Sequence, residues 1–149
     1  MQIKNKIILI IICLLCLFAI NSNLHAEEFN ISAIEILIDK KNDIVIGKGS
    51  VEVTDREGKL IRTDKVTYEK SKEFLLAEGS VEIFDNEGNV LKTDKATYDK
   101  IKEIIVTYGN SEFIIKEGYK LTSNNILYDI TKKIISSNQN SILTDLDGN

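Results

Sequence analysis

The sequence predicts an all-β fold: an antiparallel repeat of about eight bent strands, arranged as two facing sheets folded like a taco, with open ends. Three observations predict it. The chain repeats itself with a period of 30 residues: 49–78 and 79–108 share 15 identities in 30 aligned positions without a gap. Such a period marks a repeat architecture, in which each unit buries its apolar face against its neighbours. Two kinds of polar turn alternate with runs rich in Val, Ile, Thr, Tyr and Phe, the residues that suit a pleated, half-buried surface. Finally, the apolar alternation changes phase in the middle of each long run, and a period-2 pattern can do so only where an extra residue or a sharp bend is inserted.

The chain of 149 residues has room for one repeat domain behind a leader. Lys4 and Lys6 precede an unbroken apolar run of 14 residues, Ile7 to Ile20, and Leu24-His-Ala26 follows. This is the order of a secretory signal peptide spanning 1–26, and the run is short for a membrane span. The domain is then 27–149, and it is exported. Cys13, Cys16 and His25 all fall inside the signal, so the mature chain has no thiol or imidazole for catalysis or metal binding. Loss of Lys4 and Lys6 takes the formal charge from −4 to −6. There is no basic stripe, which excludes a nucleic-acid partner.

Strands are expected near 29–39, 43–54, 59–69, 73–84, 89–99, 103–115, 119–130 and 133–144. Asp55-Arg-Glu-Gly-Lys59 and Asp85-Asn-Glu-Gly-Asn89 read as glycine-containing hairpin turns. Lys70-Ser-Lys-Glu73 and Lys100-Ile-Lys-Glu103 are polar turns of a second kind. Short turns between consecutive strands imply antiparallel neighbours. No proline interrupts a ladder. Within 59–69 the inward positions are odd at Ile61 and Thr63, then even at Val66 and Tyr68, and the copies repeat this with Leu91, Thr93, Ala96 and Tyr98, and with Leu121, Ser123, Ile126 and Tyr128. The partner strands slip near Ala77-Glu-Gly79, with Phe74 and Leu76 followed by Val81 and Ile83. The repeat stops within the turn Asp147-Gly-Asn149, so the domain is expected to be incomplete at its C-terminus and its last strand to be an unpaired edge open to strand addition.

Candidate chemistry is sparse. Asp64 with Asp94, and Glu52 with Glu82, recur with the period and read as a solvated face or as supports of the bends rather than as an acid–base pair. Asp145-Leu-Asp-Gly-Asn149 reads as the ordinary repeat turn rather than a cation loop. Neither a catalytic set, a metal nor a cofactor is expected. Tyr68, Tyr98 and Tyr128 align as a column that serves either as packed core or as the lining of an apolar trough. The expected interior comprises Ile44, Ile46, Val51, Val53, Val66, Tyr68, Phe74, Leu76, Val81, Ile83, Ala96, Tyr98, Ile104, Val106, Phe113, Ile126 and Tyr128. An exported, continuous apolar interior of this kind suits an acyl-chain conduit, and it suits a rigid structural or adhesive spacer with no ligand.

The units Gly49-Ser-Val-Glu-Val, Thr63-Asp-Lys-Val-Thr-Tyr-Glu-Lys70 and Phe74-Leu-Leu-Ala-Glu-Gly-Ser-Val-Glu-Ile83 resemble the organic-solvent-tolerance (OstA-like) repeat. That family includes the periplasmic lipopolysaccharide-transport bridge protein and the N-terminal domain of the outer-membrane lipopolysaccharide-assembly protein. The resemblance covers residues 29–149 and is sharpest at 49–108. It implies a β-jellyroll in the periplasm that stacks by its edge strands on like domains and works with the outer-membrane assembly complex. It also implies that lipid A acyl chains of lipopolysaccharide lie in the apolar groove. The inward columns carried over are Val66, Tyr68, Ala96, Tyr98, Ile126 and Tyr128, opposite Val51, Val53, Val81 and Ile83.

Overall fold

The structure, a computed structural model, describes residues 29–145. The expected signal segment, with Cys13, Cys16 and His25, and the turn at 147–149 lie outside the described residues. Twelve strands are present: β1 (Phe29–Ser32), β2 (Glu35–Asp39), β3 (Ile44–Asp55), β4 (Leu60–Glu69), β5 (Phe74–Phe84), β6 (Val90–Asp99), β7 (Ile104–Tyr108), β8 (Ser111–Ile115), β9 (Tyr119–Ser123), β10 (Leu127–Asp129), β11 (Ile134–Ser136) and β12 (Ser141–Asp145). A 3₁₀ turn, Lys70–Lys72, links β4 to β5. The eight expected runs and the twelve strands agree. β3 to β6 run through as long strands, and each of the other four runs is broken in two by its bend.

All the pairings are antiparallel. One half of every long strand belongs to one ladder and the other half to a second. The first ladder runs β2, β3, β4, β5, β6, β7, β10, β11, and its central row of facing residues is Val45, Tyr68, Leu75, Tyr98, Ile105, Tyr128, Ile135. The second runs β1, β3, β4, β5, β6, β8, β9, β12, with the row Ile31, Val53, Ile61, Ile83, Leu91, Phe113, Leu121, Leu143. The ladder register slips between Lys48 and Val51, between Arg62 and Lys65, and between Glu78 and Val81. In β4 and β6 the slip coincides with the expected phase change, from Ile61 and Thr63 to Val66 and Tyr68 and from Leu91 and Thr93 to Ala96 and Tyr98. In β5 the phase change expected from Phe74 and Leu76 does not occur, because its inward residues Leu75, Ala77, Val81 and Ile83 are all odd. The ladders fold towards each other at these corners and remain unjoined along the opposite margin, so the sheet does not close into a barrel.

The corners have a shared construction. Gly79 and Ser80 turn through the left-handed region, at φ 82° and 46°. Only glycine takes such a backbone without strain. Asp64 leans over the bend so closely that a Cβ on Gly79 would lie 2.4 Å from its Oδ2. Behind the bend, Thr63 Oγ1 donates to the carbonyls of Glu78 and Gly79, at 2.8 and 3.0 Å. The equivalent Thr93 Oγ1 lies 2.9 Å from Ser111 Oγ. A buried threonine or serine thus satisfies carbonyls that the broken ladder leaves without a partner, which is what a buried backbone group requires.

In the third unit this polar corner grows inward. Ser111 replaces Val51 and Val81, Thr107 replaces Ala77, and both are fully buried. Ser111 Oγ donates to Thr107 Oγ1 at 2.7 Å, and Thr107 Oγ1 accepts the Ile126 N–H at 2.9 Å. Thr107→Ala is therefore expected to cost about 2 kcal/mol, because it strands the buried Ile126 N–H and removes one partner of the Ser111 hydroxyl. Thr107→Ala combined with Ser111→Val is expected to recover part of that loss relative to the two single effects summed. Urea unfolding of the two single variants and the double variant measures this coupling. Strict additivity would contradict a shared network.

Candidate functional site

The space between the two ladders is the candidate site, and side-chain alternation decides what lines it. Val51, Val53, Val66, Tyr68, Val81, Ile83, Ala96, Tyr98, Phe113, Ile126 and Tyr128 all point into it and are buried. They are joined there by Phe29, Val45, Ile61, Leu75, Ala77, Leu91 and Ile105. The tyrosine column is a row in which aliphatic residues alternate with the phenols, Leu75 between Tyr68 and Tyr98, and Ile105 between Tyr98 and Tyr128. Aromatic contact instead runs across the interior. Phe29 meets Tyr68 edge-on at 4.9 Å, and Phe113 meets Tyr128 at 5.0 Å.

Six expected interior residues lie elsewhere. Ile44, Ile46, Phe74, Leu76, Ile104 and Val106 point to the outer surface of the first ladder, where they are half-buried. Runs such as Phe74-Leu-Leu-Ala77 are apolar at every position, so alternation within them carries no phase. Pairing supplies it. The turn at Lys70–Glu73 closes on the pair Glu69 and Phe74, which sets Leu75 opposite Tyr68 and Ala77 opposite Val66. Because paired residues share a face, the inward tyrosine pulls Leu75 inward and sends Phe74 and Leu76 out. The signal was present in the sequence as the turn: counting outward from it in both directions gives this register.

Among the described residues, both ends of the interior are open. At one end β1 and β2 are edges, and the inward residues Ile36 and Ile38 stay 47% and 59% exposed. A cavity of about 160 Å³ lies there against Phe29, Ile31, Val45 and Tyr68. At the other end β11 and β12 are edges, and the inward Leu143 is 62% exposed. Between the ends the two ladders meet closely. Only about 10 Å³ remains beside Ile83, Leu91, Ile105, Phe113 and Tyr128. That is about the smallest space that holds one water.

The margin opposite the corners is the mouth, where the turns of one ladder face those of the other. Polar groups line it, and sequence reasoning missed them because they sit in turns. Asp55 accepts the Lys59 backbone N–H at 2.8 Å and Lys59 Nζ at 2.9 Å. Lys59 Nζ also donates to the Tyr98 hydroxyl at 3.0 Å, and that hydroxyl donates to Glu103 Oε2 at 2.7 Å. Lys100 Nζ donates to Glu57 at 2.5 Å and also to Glu103. The Lys59 and Lys100 side chains are each 6% exposed and the Asp55 side chain 1%. Burial acts to raise the Asp55 carboxyl, but its hydrogen bonds from Lys59 and the charges of Lys59 and Lys100 outweigh this and hold it below its usual range. Burial likewise opposes the charge on Lys100, yet Glu103 and Glu57 push its pKa up to about 12. Tyr98 is pushed well above a normal phenol, by burial first and then by Glu103. In the next unit Tyr128 donates to Asp85 at 3.2 Å, and burial together with the Asp85 charge takes its pKa to about 12.

The recurrent carboxylates are surface groups. Glu52 pairs with Arg62, and Glu82 with Lys92, each at 2.9 Å on the outer face. Asp64 and Asp94 pack over the corner glycines. Among the described residues no group of three or more His, Cys, Asp or Glu is placed to hold a metal ion.

No protein-family model matches the sequence, and no curated protein does either. A solved structure does match. The crystal structure of LptH, the LptA-homologous periplasmic component of the conserved lipopolysaccharide transport device from Pseudomonas aeruginosa, aligns with a TM-score of 0.68. The chain shares its fold with LptH. The alignment covers 80% of this chain and 98% of that one, at 16% identity. The β-jellyroll expected from the OstA-like units is therefore the fold observed, reached by a sequence with few residues in common.

Proposed function

We propose that this protein is a periplasmic module of lipopolysaccharide transport and outer-membrane assembly, not an enzyme. It is exported by its signal peptide, holds lipid A acyl chains between its two ladders, and joins like domains through its edge strands. One observation carries the reading. An LptH-like jellyroll presents apolar rows that run the length of the interior and end, still exposed, beside edges on both sides that no other described strand pairs. An unpaired edge offers a row of backbone donors and acceptors to another strand, and exposed inward residues such as Ile38 and Leu143 would become continuous with a neighbour's interior.

Edge strand β2 tests this without disturbing the core. A photo-crosslinking residue at Ile38, which points inward, is expected to give a lipopolysaccharide adduct. The same residue at Leu37, which points outward and is 49% exposed, is expected to give none. Equal labelling at both positions, or none at either in a folded protein, would sink the acyl-groove reading and favour an exported spacer.

A further inference from the structure

The mouth carries a device that the transport reading does not contain. The backbone passes from one ladder to the other at the corners, opposite the mouth. Across the mouth the lips meet through side chains: Lys100 to Glu57, Lys59 to Tyr98, Lys59 within 3.9 Å of Glu103, and Tyr128 to Asp85. Two of these contacts, Lys100 with Glu57 and Tyr128 with Asp85, join residues 43 apart in sequence, as does the 3.5 Å approach of Tyr98 to Asp55. The seam is therefore a property of the repeat.

The repeat also contains its own variant. One period on, Glu57 becomes Glu87 and Lys100 becomes Ile130, while Lys59 becomes Asn89. Glu87 is left to Lys133, an exposed pair. In that unit the lips are bridged by Tyr128 with Asp85 and by the exposed Lys133–Glu87 pair, and a cleft of about 260 Å³ lies between these contacts and those of the unit before, against Glu57, Lys59, Glu103, Asn86, Tyr128 and Ile130. In the unit before, the bridging lysines are buried, Lys59 and Lys100, where the following unit has the exposed Lys133.

We propose that Lys100, together with Lys59, is a latch: it holds the two lips shut at the second repeat unit, and its release lets the ladders part about the glycine corners without unfolding. The packed interior gives the latch a purpose. A molecule with an apolar tail inside and a polar head in water must straddle the mouth, and the ladders must separate to admit the tail. This bearing on uptake rests on the acyl-groove reading; the motion of the lips does not.

Spin labels at Arg56→Cys and Ile101→Cys, on opposite lips, report the opening in the full chain with Cys13 and Cys16 replaced by serine. Pulsed electron resonance is expected to give one narrow distance. Lys100→Met is expected to lengthen it by roughly 4 Å, one carbon–carbon contact, with an unchanged β spectrum. Glu57→Gln, a milder change on a half-exposed side chain, is expected to shift it in the same direction and by less, and decides the matter if Lys100→Met does not fold. Unchanged distances in a folded variant would overturn the latch. An environment-sensitive fatty-acid probe forms the second arm. Faster uptake by Lys100→Met supports the latch as a gate. A probe bound by neither protein, with the lips widened, supports the latch and overturns the acyl-groove reading instead.

Discussion

Asp55→Ala is expected to lower stability by about 3–5 kcal/mol, the usual consequence of removing one partner of a buried ion pair. The asymmetry of the site is the reason. Asp55 accepts two hydrogen bonds from Lys59 and is 1% exposed in its side chain, while Lys59 Nζ is nearly as enclosed. Taking away the carboxylate leaves an ammonium facing the Tyr98 ring with Glu103 3.9 Å away. Lys59→Asn is expected to cost less, because it recreates the arrangement of the following unit, where Asn89 donates to Asp85 through both its backbone and its side chain at 2.9 and 2.8 Å. Guanidinium unfolding of the three proteins ranks them. A larger loss for Lys59→Asn than for Asp55→Ala would overturn the account. The same pair predicts a dependence on pH. The Asp55 carboxyl is depressed in the folded state, so its contribution is complete above the unfolded value near 3.9 and is lost as pH falls through the lower folded value. The gap between the parent and Asp55→Ala should therefore close in acid, below about pH 4, and stay constant at neutral pH.

Leu75→Ala is expected to cost about 2–5 kcal/mol and Leu76→Ala about 1 kcal/mol, although the two are neighbours of identical chemistry. Leu75 is 1% exposed and sits between Tyr68 and Tyr98, so its loss opens a cavity that close-packed neighbours cannot fill. Leu76 lies on the outer face between Thr67 and Thr97, where solvent takes the vacated space. The expected ratio would invert if the interior were the one that alternation alone suggested, with Phe74 and Leu76 inward. Thermal unfolding of the two variants distinguishes the arrangements, and the difference of several degrees expected for a domain of this size is readily measured.

Much of this protein was legible because the repeat states each structural rule more than once. The phase change between Thr63 and Val66 reads as a bend in one unit and is reinforced by its copy between Thr93 and Ala96, and the register slips occur there. Inward positions beside polar neighbours, such as Val51, Val53, Val66 and Tyr68, were read directly, since a lysine or glutamate on one side leaves a single face for the apolar residue. What failed were the stretches apolar on both faces, 44–46, 74–77 and 104–106, whose outer surface is also apolar in this fold. Their phase belongs to the hairpin partner rather than to the strand itself.

The sequence by itself determined the strand order, the antiparallel pairing of neighbours and the corners at Thr63–Val66 and Thr93–Ala96, because these follow from local turn chemistry and from periodicity within a single segment. Only the tertiary structure decided which face of the uniformly apolar strands lies inside, and that turn residues as distant as Asp55 and Tyr98, or Glu57 and Lys100, meet across the mouth. A charged turn residue looks the same in sequence whether it faces water or a second charged turn. Its partner is fixed by how sharply the corners fold one ladder onto the other, a geometry summed over the whole stack that no short segment encodes.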